Sequence, residues 1–462
     1  MTPFPLDLFH RTAEHVPAYR AFLKEHGVDP AGVKTLEDFA RLPLVTKENY
    51  VAKYSLSDRC RTGDIADNDM IAFSSGSTGE PTLWPRTQAD EEAVASRFEQ
   101  VFRGAFRAHE RRTLAIVAFP LGTWVGGMYT ASCTRILARR GLKITTVTPG
   151  NDRAEILRVV RALSPMFDQT VLLGYPPFLK DVVDGGRASH VPWEKFAIRT
   201  VLAGEVFSEE WRALVGERTG SHDILHDSAS LYGTADAGVL GTETPLSISI
   251  RRFAMTNTKV FESTRLPTLV QYDPSARHFE VHENTLVVSA DGGAPLVRYH
   301  IADDGGVLPH HDMLSRVRAL GFEPHLEGAS ELPFVWVYGR SHFAISFYGA
   351  NVFPEMISVG LEQPEVRAWV TGKFVMESRE TSDKNRRLAI AVELAPSVVA
   401  TGAMHEAIAN AILVHLRRTN SEFSHYVPAD AQRPDVSLFS TGDPTWFPAG
   451  VKHRYVRQSQ RQ

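Results

Sequence analysis

Short apolar runs alternate with segments of helical periodicity through the first half of the chain. Three continuous apolar runs, at residues 113–120, 170–177 and 198–204, predict buried strands. Between them, residues 152–163 repeat apolar side chains at helical spacing. This alternation is typical of strands joined by crossover helices, so it predicts an α/β core.

A further helix is predicted directly after Thr87, whose hydroxyl can cap the first turn. Apolar side chains recur at helical spacing from Val94 through Phe98 and Phe102 to Ala105. The helix therefore should place one face on the core.

The pattern changes twice in the second half. After about residue 245, alternation such as "HFEVHENTLVVSA" around a Glu-Asn turn predicts a smaller antiparallel subdomain. From Gly339 onward, a pair of strands ("RAWVTGKFVMES" and "RRLAIAVELAP") precedes an amphipathic helix that carries Met404 and Leu416. This last part predicts a compact α+β unit.

Composition narrows the classes of function. The 462 residues are 43% hydrophobic and carry a net charge of −4, so the chain can bury a large core and offers no basic field for nucleic acid or anionic membranes. Cys60 and Cys133 are too few and too far apart for a disulfide framework. No secretory leader or membrane-spanning apolar run is seen, which predicts a cytoplasmic protein.

The loop "FSSGSTGEPTLWPRT" combines closely spaced glycines with hydroxyl side chains. Glycines allow a ligand to approach the backbone, and hydroxyl and amide donors suit phosphate oxygens. No Gly-Lys-Ser/Thr closes the loop, so it is not a Walker A motif. A flexible surface linker is the alternative. Because the loop runs from the apolar "MIAF" into a capped helix, its position favours a binding loop.

Five motifs in one order resemble the AMP-forming adenylating (acyl-CoA synthetase/ligase) superfamily. "SSGSTGEPT" looks like its phosphate-binding loop, and the upstream "GVDPAGVKTLEDFARLPLVTKENY" is similar to its phenylacetate-CoA ligase branch. "LAGEVFSEEWR", "LYGTADAG" and "LVRYHIADDGGVL" resemble that branch's adenosine-side strand, aromatic-glycine-acid motif and ribose motif. "YGRSHFAISFYGANVFPEMI" resembles the hinge before a C-terminal lid. "PAGVKHRYV", near the end of the chain, resembles the family more weakly.

The resemblance implies an α/β fold with a large N-terminal domain at residues 1–340, multi-layered and with a β-rich subdomain, and a small mobile α+β lid at residues 341–462. It also implies which residues hold ATP. The triphosphate loop would comprise Ser74, Ser75, Gly76, Ser77, Thr78 and Gly79. Adenine and ribose would be held by Gly204, Glu205, Tyr232, Gly233, Thr234, Asp303 and Arg340. For Asp303, the residues alone favour a solvated turn acid, and the order of the motifs favours the ribose contact instead.

The catalytic residues implied by the resemblance are Lys452 and Asp236. Ala235 and Asp236 stand where the family usually has Ser/Thr-Glu, and the carboxylate of Asp236 would be the Mg²⁺ ligand. Lys452 would supply a cation during adenylation, although a basic tail is usually only solvated. In the hinge, His342 and Phe343 replace the commoner acidic pair.

The segment "LGTWVGGMY" follows a core strand and allows two interpretations. Trp124, Gly126 and Tyr129 either line the acyl pocket or form ordinary core.

The resemblance implies an acid–thiol ligase that uses ATP and Mg²⁺ to activate an aryl or otherwise apolar carboxylic acid, with coenzyme A as acceptor. The sequence leaves the acceptor open, since a carrier-protein thiol or an amine could replace coenzyme A. It also leaves open a non-catalytic nucleotide or acyl binder, and a homodimer.

Overall fold

The computed structural model describes most of the chain, namely residues 2–74, 82–123, 125–263, 265–326, 329–339, 344–348, 350–380, 386–420, 423–424, 427–448 and 453–457.

Strands and helices alternate between residues 113 and 234, as the hydrophobic pattern predicts for the core. The α-helices are α1 Phe4–His15, α2 Pro17–Glu25, α3 Leu36–Ala40, α4 Leu56–Arg59, α5 Gln88–Glu99, α6 Val125–Arg139, α7 Arg153–Leu163, α8 Pro176–Ala188, α9 Glu209–Thr219, α10 Pro245–Ala254, α11 His310–Ala319, α12 Pro354–Leu361 and α13 Gly402–Thr419. The strands are β1 Met70–Ser74, β2 Thr82–Arg86, β3 Thr113–Val117, β4 Ile144–Val147, β5 Gln169–Gly174, β6 Ile198–Ala203, β7 Ser228–Thr234, β8 Gly238–Thr242, β9 Thr268–Gln271, β10 Arg277–His282, β11 Thr285–Ala290, β12 Leu296–Leu308, β13 Phe334–Gly339, β14 Ile345–Phe347, β15 Ala350–Val352, β16 Val370–Glu380, β17 Arg386–Leu394 and β18 Asp435–Phe439.

One large mixed sheet organises the chain up to Gly339. Its strand order in the described residues is β10-β11-β12-β13-β9-β8-β7-β6-β5-β3-β4. The strands from β4 to β7 pair in parallel, and from β7 to β10 each neighbouring pair is antiparallel. The predicted antiparallel region is present, and it continues the parallel sheet instead of forming a sheet of its own.

The three apolar runs and both helices form where the pattern places them. Strands β3, β5 and β6 are buried because their continuous apolar sequences lie between helices on both faces. The Thr87 side chain accepts from the Asp90 backbone N–H and caps α5. The helical spacing through Ala105 continues in the structure as a π-helical turn at Gln100–Ala105, which ordinary α-helical periodicity does not predict.

The C-terminal part has a core of its own. Strands β16, β17 and β18 form a sheet of three strands, in which β16 and β17 are antiparallel as the sequence predicts. Helix α13 buries Ile408, Ile412 and Leu416 in this cluster. The described residues of this cluster all lie after residue 344. Four other clusters pack against the large sheet, and their described residues all lie before residue 340.

Among the described helices, none combines the length and the apolar character that crossing a bilayer requires.

Candidate active site

Two of the family-like motifs lie at neighbouring strand ends. Strand β6 ends at Ala203 and pairs in parallel with β7, which carries Tyr232, Gly233 and Thr234. Carboxyl ends of parallel strands meet at one edge of a sheet, where α/β enzymes place their ligands. The backbone at Gly204 turns with φ of 82°, and a Cβ there would lie 2.6 Å from Cε1 of Tyr175. Glycine is therefore required at this turn.

Two tyrosine–aspartate hydrogen bonds connect the aromatic-glycine-acid motif with the ribose motif. The Tyr232 hydroxyl donates to Asp303 Oδ2 at 2.9 Å. In the opposite direction, the Tyr299 hydroxyl donates to Asp236 Oδ2 at 2.7 Å. All four side chains are buried. Hydrogen bonds to a carboxylate are stronger than neutral ones, so each motif orients the acid of the other.

Tyr232 has a packed ring as well as a bonded hydroxyl. Its ring stacks on Phe279 with centroids 6.4 Å apart, and both belong to the cluster beneath the antiparallel strands. Adenine stacking, the role implied by the resemblance, would have to use the remaining exposed part of this ring.

Asp236 also faces a cation that the motifs do not include. Lys47 Nζ lies 3.9 Å from Asp236 Oδ2. Lys47 begins the short π-helix Lys47–Val51, after the capping residue Thr46. Spacing could not have identified it, because almost 190 residues separate it from Asp236. Lys47 lies in the upstream segment that carries part of the resemblance, and this was the signal that could have pointed to it as a site residue.

Arg86 holds the turn that carries Asp236 through hydrogen bonds to its backbone. This side chain of β2 donates to the backbone carbonyls of Ala235 and Asp236, the latter at 3.2 Å. Within the turn, the Ala237 N–H donates to Thr234 Oγ1 at 3.0 Å. Strand β2 follows the glycine-rich loop, so the phosphate-loop motif and the acid motif are joined through this arginine.

The backbone next to Asp303 is irregular. Arg298 and Ala302 have φ values of 49° and 62°, and β12 pairs with β11 and β13 through shifted register. The N-terminal segment fixes this part, since Val45 exchanges hydrogen bonds of 3.0 and 2.8 Å with Arg298 and His300. Left-handed conformations of non-glycine residues cost about 1–3 kcal/mol and cluster at functional sites.

Glu205 connects this edge to the C-terminal part. Its Oε2 accepts a hydrogen bond of 2.7 Å from the Tyr455 hydroxyl. Burial, with Glu205 beside it, raises the pKa of Tyr455 far above its ordinary value, so the phenol keeps its proton and donates. The same C-terminal segment is held at His453, whose ring lies 2.7 Å from the Phe374 carbonyl oxygen.

Two of the three acyl-pocket candidates, Gly126 and Tyr129, lie on α6. Tyr129 is buried against the parallel half of the sheet, and an added Cβ at Gly126 would contact Phe119 at 3.6 Å. Tyr129 lines a cavity together with Asp236 and Gly238, so one acyl-pocket candidate and the metal candidate share a space.

Several predicted residues lie outside the described part of the chain: Ser75, Gly76, Ser77, Thr78, Gly79, Trp124, Arg340, His342, Phe343 and Lys452. Ser74 ends β1, and its backbone alone is described.

The donor set suits a metal ion that takes its remaining ligands from a nucleotide. In the described ranges, no group of three or more His, Cys, Asp or Glu side chains could hold a metal ion alone. Mg²⁺ is commonly bound by one or two carboxylates together with substrate phosphates and water, so the single carboxylate of Asp236 fits this mode.

Comparison with known proteins identifies relatives over most of the chain. No protein-family model matches. Phenylacetate-coenzyme A ligase of Thermus thermophilus is 25% identical over 362 residues, covering 76% of this chain and 72% of that protein. The enzyme of that name from Pseudomonas putida is 22% identical over 356 residues, covering 74% and 70%.

A solved structure shows the same fold. A 2-hydroxyisobutyryl-CoA ligase in the postadenylation state, in complex with 2-HIB-AMP, superimposes with a TM-score of 0.68 at 16% identity, covering 99% of this chain and 88% of that one. The predicted fold class is thereby confirmed. The comparisons also confirm the resemblance that the motifs carry, to the phenylacetate-CoA ligase branch of the AMP-forming adenylating superfamily.

Proposed function

We propose that this chain is a cytoplasmic AMP-forming carboxylate–CoA ligase. In the first half-reaction, a carboxylate oxygen of the substrate attacks the α-phosphorus of ATP and pyrophosphate leaves. In the second, the thiol sulfur of coenzyme A attacks the acyl carbon and AMP leaves. Neither half needs a protein nucleophile, so the protein's tasks are positioning and electrostatic stabilisation.

The observation that carries this proposal is the pair of tyrosine–aspartate hydrogen bonds. They bring the carboxylates of Asp303 and Asp236 to one edge of the sheet in the fold of an AMP-forming ligase. Asp303 would accept from ribose hydroxyls. Asp236 would hold Mg²⁺, which supplies positive charge to the phosphate oxygens when it is bound.

The remaining assignments follow the motifs. Phosphate contacts are assigned to Ser74, Ser75, Gly76, Ser77, Thr78 and Gly79, adenine contacts to Gly204, Glu205, Tyr232, Gly233 and Thr234, and a second ribose contact to Arg340. The part after residue 340 is assigned as a lid that carries Lys452 to the α-phosphate.

Coenzyme A is the acceptor that the relatives support, because the three proteins described above are all named as CoA ligases. A carrier protein and a second copy of the chain stay predictions as partners.

Pyrophosphate release tests the proposal directly. The protein is incubated with ATP, Mg²⁺ and each member of a panel of carboxylic acids, with and without coenzyme A, and Asp303→Ala serves as the matched control. We expect acid-dependent pyrophosphate release, thioester only when coenzyme A is present, and a strongly weakened Asp303→Ala variant. Absence of release with every acid would instead favour a non-catalytic binder.

A further inference from the structure

The cavity beside Asp236 is lined by charged side chains. Arg86 from β2, Arg277 from β10 and Tyr129 from α6 form part of its wall, together with Ala237 and Gly238. An aryl or otherwise apolar acid, the class expected from the sequence, has no second charged group that could pair with these arginines. The side chains therefore carry information about the substrate.

Arg277 is a buried cation without an ion-pair partner in the described residues. Its side chain is 8% exposed, and its contacts are carbonyl oxygens, of Ala276 at 2.7 Å and of Ala237 at 3.5 Å. The Nε–H has no acceptor among the described atoms. A guanidinium has five N–H donors, so Arg277 has donors left for a ligand.

Arg86 adds a second buried cation to the same wall. It is 3% exposed, and its Nε–H also has no acceptor in the described ranges. Burial and the neighbouring cations Arg97 and Arg86 lower the pKa of Arg277 to about 10, so it is still charged at neutral pH. A buried charge without an ion-pair partner is unfavourable, and a bound anion would offset that cost.

The acids of the cavity are already engaged. Asp291 pairs with Arg11 at 3.0 Å and with Arg61 at 2.6 Å. Asp90 accepts from the backbone N–H groups of Thr87 and Gly293, each at 2.8 Å. Asp291 is thus neutralised by two arginines, whereas Asp90 is held by neutral N–H groups and its charge acts to raise the pKa of Arg277. The Nε–H of Arg277 is the donor that remains for an anion among the described atoms.

We infer that the substrate of the proposed ligase is a dicarboxylic acid, whose second carboxylate binds Arg277 while the first is adenylated beside Asp236. This inference rests on the proposed function and adds the class of acid to it. The guanidinium fork matches a carboxylate geometrically, and Arg86 contributes positive charge from the same wall. Arg277 and Asp236 line the same cavity, so the inference assigns both carboxylates of one compact acid to its wall.

Matched pairs of acids test the inference. Succinate is compared with butyrate and 4-carboxyphenylacetate with phenylacetate, and kcat/KM is taken from pyrophosphate release with ATP, Mg²⁺ and coenzyme A. In the parent protein, we expect the dicarboxylate to be favoured by about tenfold or more in at least one pair. Arg277→Met should bring that ratio close to one, and Arg277→Lys, which keeps the charge without the fork, should give an intermediate ratio.

Arg59 provides the matched control. It is also buried with unpaired nitrogen atoms in the described part, but it packs on Trp84 and does not line the cavity. Arg59→Met should keep the parent ratio. A thermal-shift measurement in parallel should show that succinate with ATP raises the unfolding midpoint of the parent and not of Arg277→Met.

The outcomes separate the two claims. Equal or better use of the monocarboxylates, or an unchanged ratio in Arg277→Met, overturns the dicarboxylate inference and leaves the ligase intact. No pyrophosphate release with any of the four acids, and no thermal shift, overturns the proposed function and this inference with it. Release with monocarboxylates alone is therefore the result that distinguishes the two failures.

Discussion

Asp303 is the residue to which the proposed ribose contact is assigned. It is buried and accepts from Tyr232 at 2.9 Å. Removing it leaves both the tyrosine hydroxyl and the ribose hydroxyls without this acceptor, and an unpaired buried polar group costs about 1–3 kcal/mol. We expect Asp303→Ala to weaken ATP binding at least tenfold in calorimetry. Its neighbour Asp304, which faces Arg265 instead, is the control, and Asp304→Ala should bind ATP nearly as the parent does. Equal ATP affinity in the parent and Asp303→Ala would contradict the ribose assignment.

Gly204 tests how tightly the adenosine-side turn is built. Its φ of 82° disfavours any side chain, and a Cβ would lie 2.6 Å from the Tyr175 ring. We expect Gly204→Ala to lower the free energy of unfolding by about 1–3 kcal/mol in a denaturant titration. Gly104 has open space around it and no positive φ, so Gly104→Ala should be close to neutral or slightly stabilising. A similar effect of both variants would show that the close approach to Tyr175 is unimportant.

The sequence reveals site residues where a short motif contains them and misses those that the fold brings in. Asp303, Tyr232 and Asp236 are predicted because each lies in a motif whose residue types resemble a known pattern. Lys47 and Arg277 reach Asp236 and its cavity from elements far away in sequence. Strand and helix packing determines those approaches. The upstream segment that carries Lys47 resembles the family, but its sequence does not tell that this side chain meets Asp236.

Helix α8 and strand β16 form a charged contact between the two parts of the chain. Lys373 pairs with Asp181 and lies 3.3 Å from Glu393, while Lys180 donates to the Val370 carbonyl oxygen at 3.2 Å. The ammonium group of Lys373 is therefore already paired with carboxylates at this contact. This position does not favour Lys373 as the catalytic cation, the role that the resemblance gives to Lys452.

Glu362 adds a titratable group where the same two parts of the chain meet, because the Ser208 hydroxyl donates to its carboxylate. Burial raises its pKa from 4.5 to about 8, with Glu210 adding to the rise and Ser208, Lys180 and Arg251 opposing it. The docked form therefore takes up a proton, and its stabilisation is complete below about pH 4.5 and is lost as pH rises through about 8. We expect the C-terminal part to become more susceptible to limited proteolysis across this interval. Glu362→Gln cannot titrate and should flatten the profile, whereas an equal slope in that variant would contradict this assignment.

Helices, strands and turns can be predicted where neighbouring residues determine them. Strand pairing between segments far apart in sequence cannot be predicted in this way. The Glu-Asn turn between β10 and β11 forms with φ of 49° and 64°, as a tight hairpin requires. The place of β13 between β12 and β9 is different, since it depends on pairing across long sequence separations. Local alternation predicts antiparallel strands there but cannot tell that they extend the parallel sheet.

The two half-reactions should respond differently to the loss of one C-terminal lysine. If the part after residue 340 alternates as a lid, Lys452 supplies positive charge only while the adenylate forms. We expect Lys452→Ala to slow pyrophosphate release by about a hundredfold or more. Given synthetic acyl adenylate and coenzyme A, the same variant should form thioester at near the parent rate.

The matched variant for this experiment is Lys384→Ala in the same C-terminal part. It should leave both half-reactions near the parent rate. Equal slowing of both halves by Lys452→Ala would mean that this lysine is structural or that no alternation occurs. An unaffected adenylation rate would place the catalytic cation elsewhere.

Isotope transfer follows the attack of a carboxylate oxygen on the α-phosphorus of ATP. Succinate and phenylacetate labelled with ¹⁸O in their carboxylates are each incubated with the protein, ATP, Mg²⁺ and coenzyme A, and the nucleotide products are analysed by mass spectrometry. We expect one ¹⁸O atom in each AMP formed and none in pyrophosphate. Formation of ADP with label in inorganic phosphate, or of unlabelled AMP, would contradict attack at the α-phosphorus.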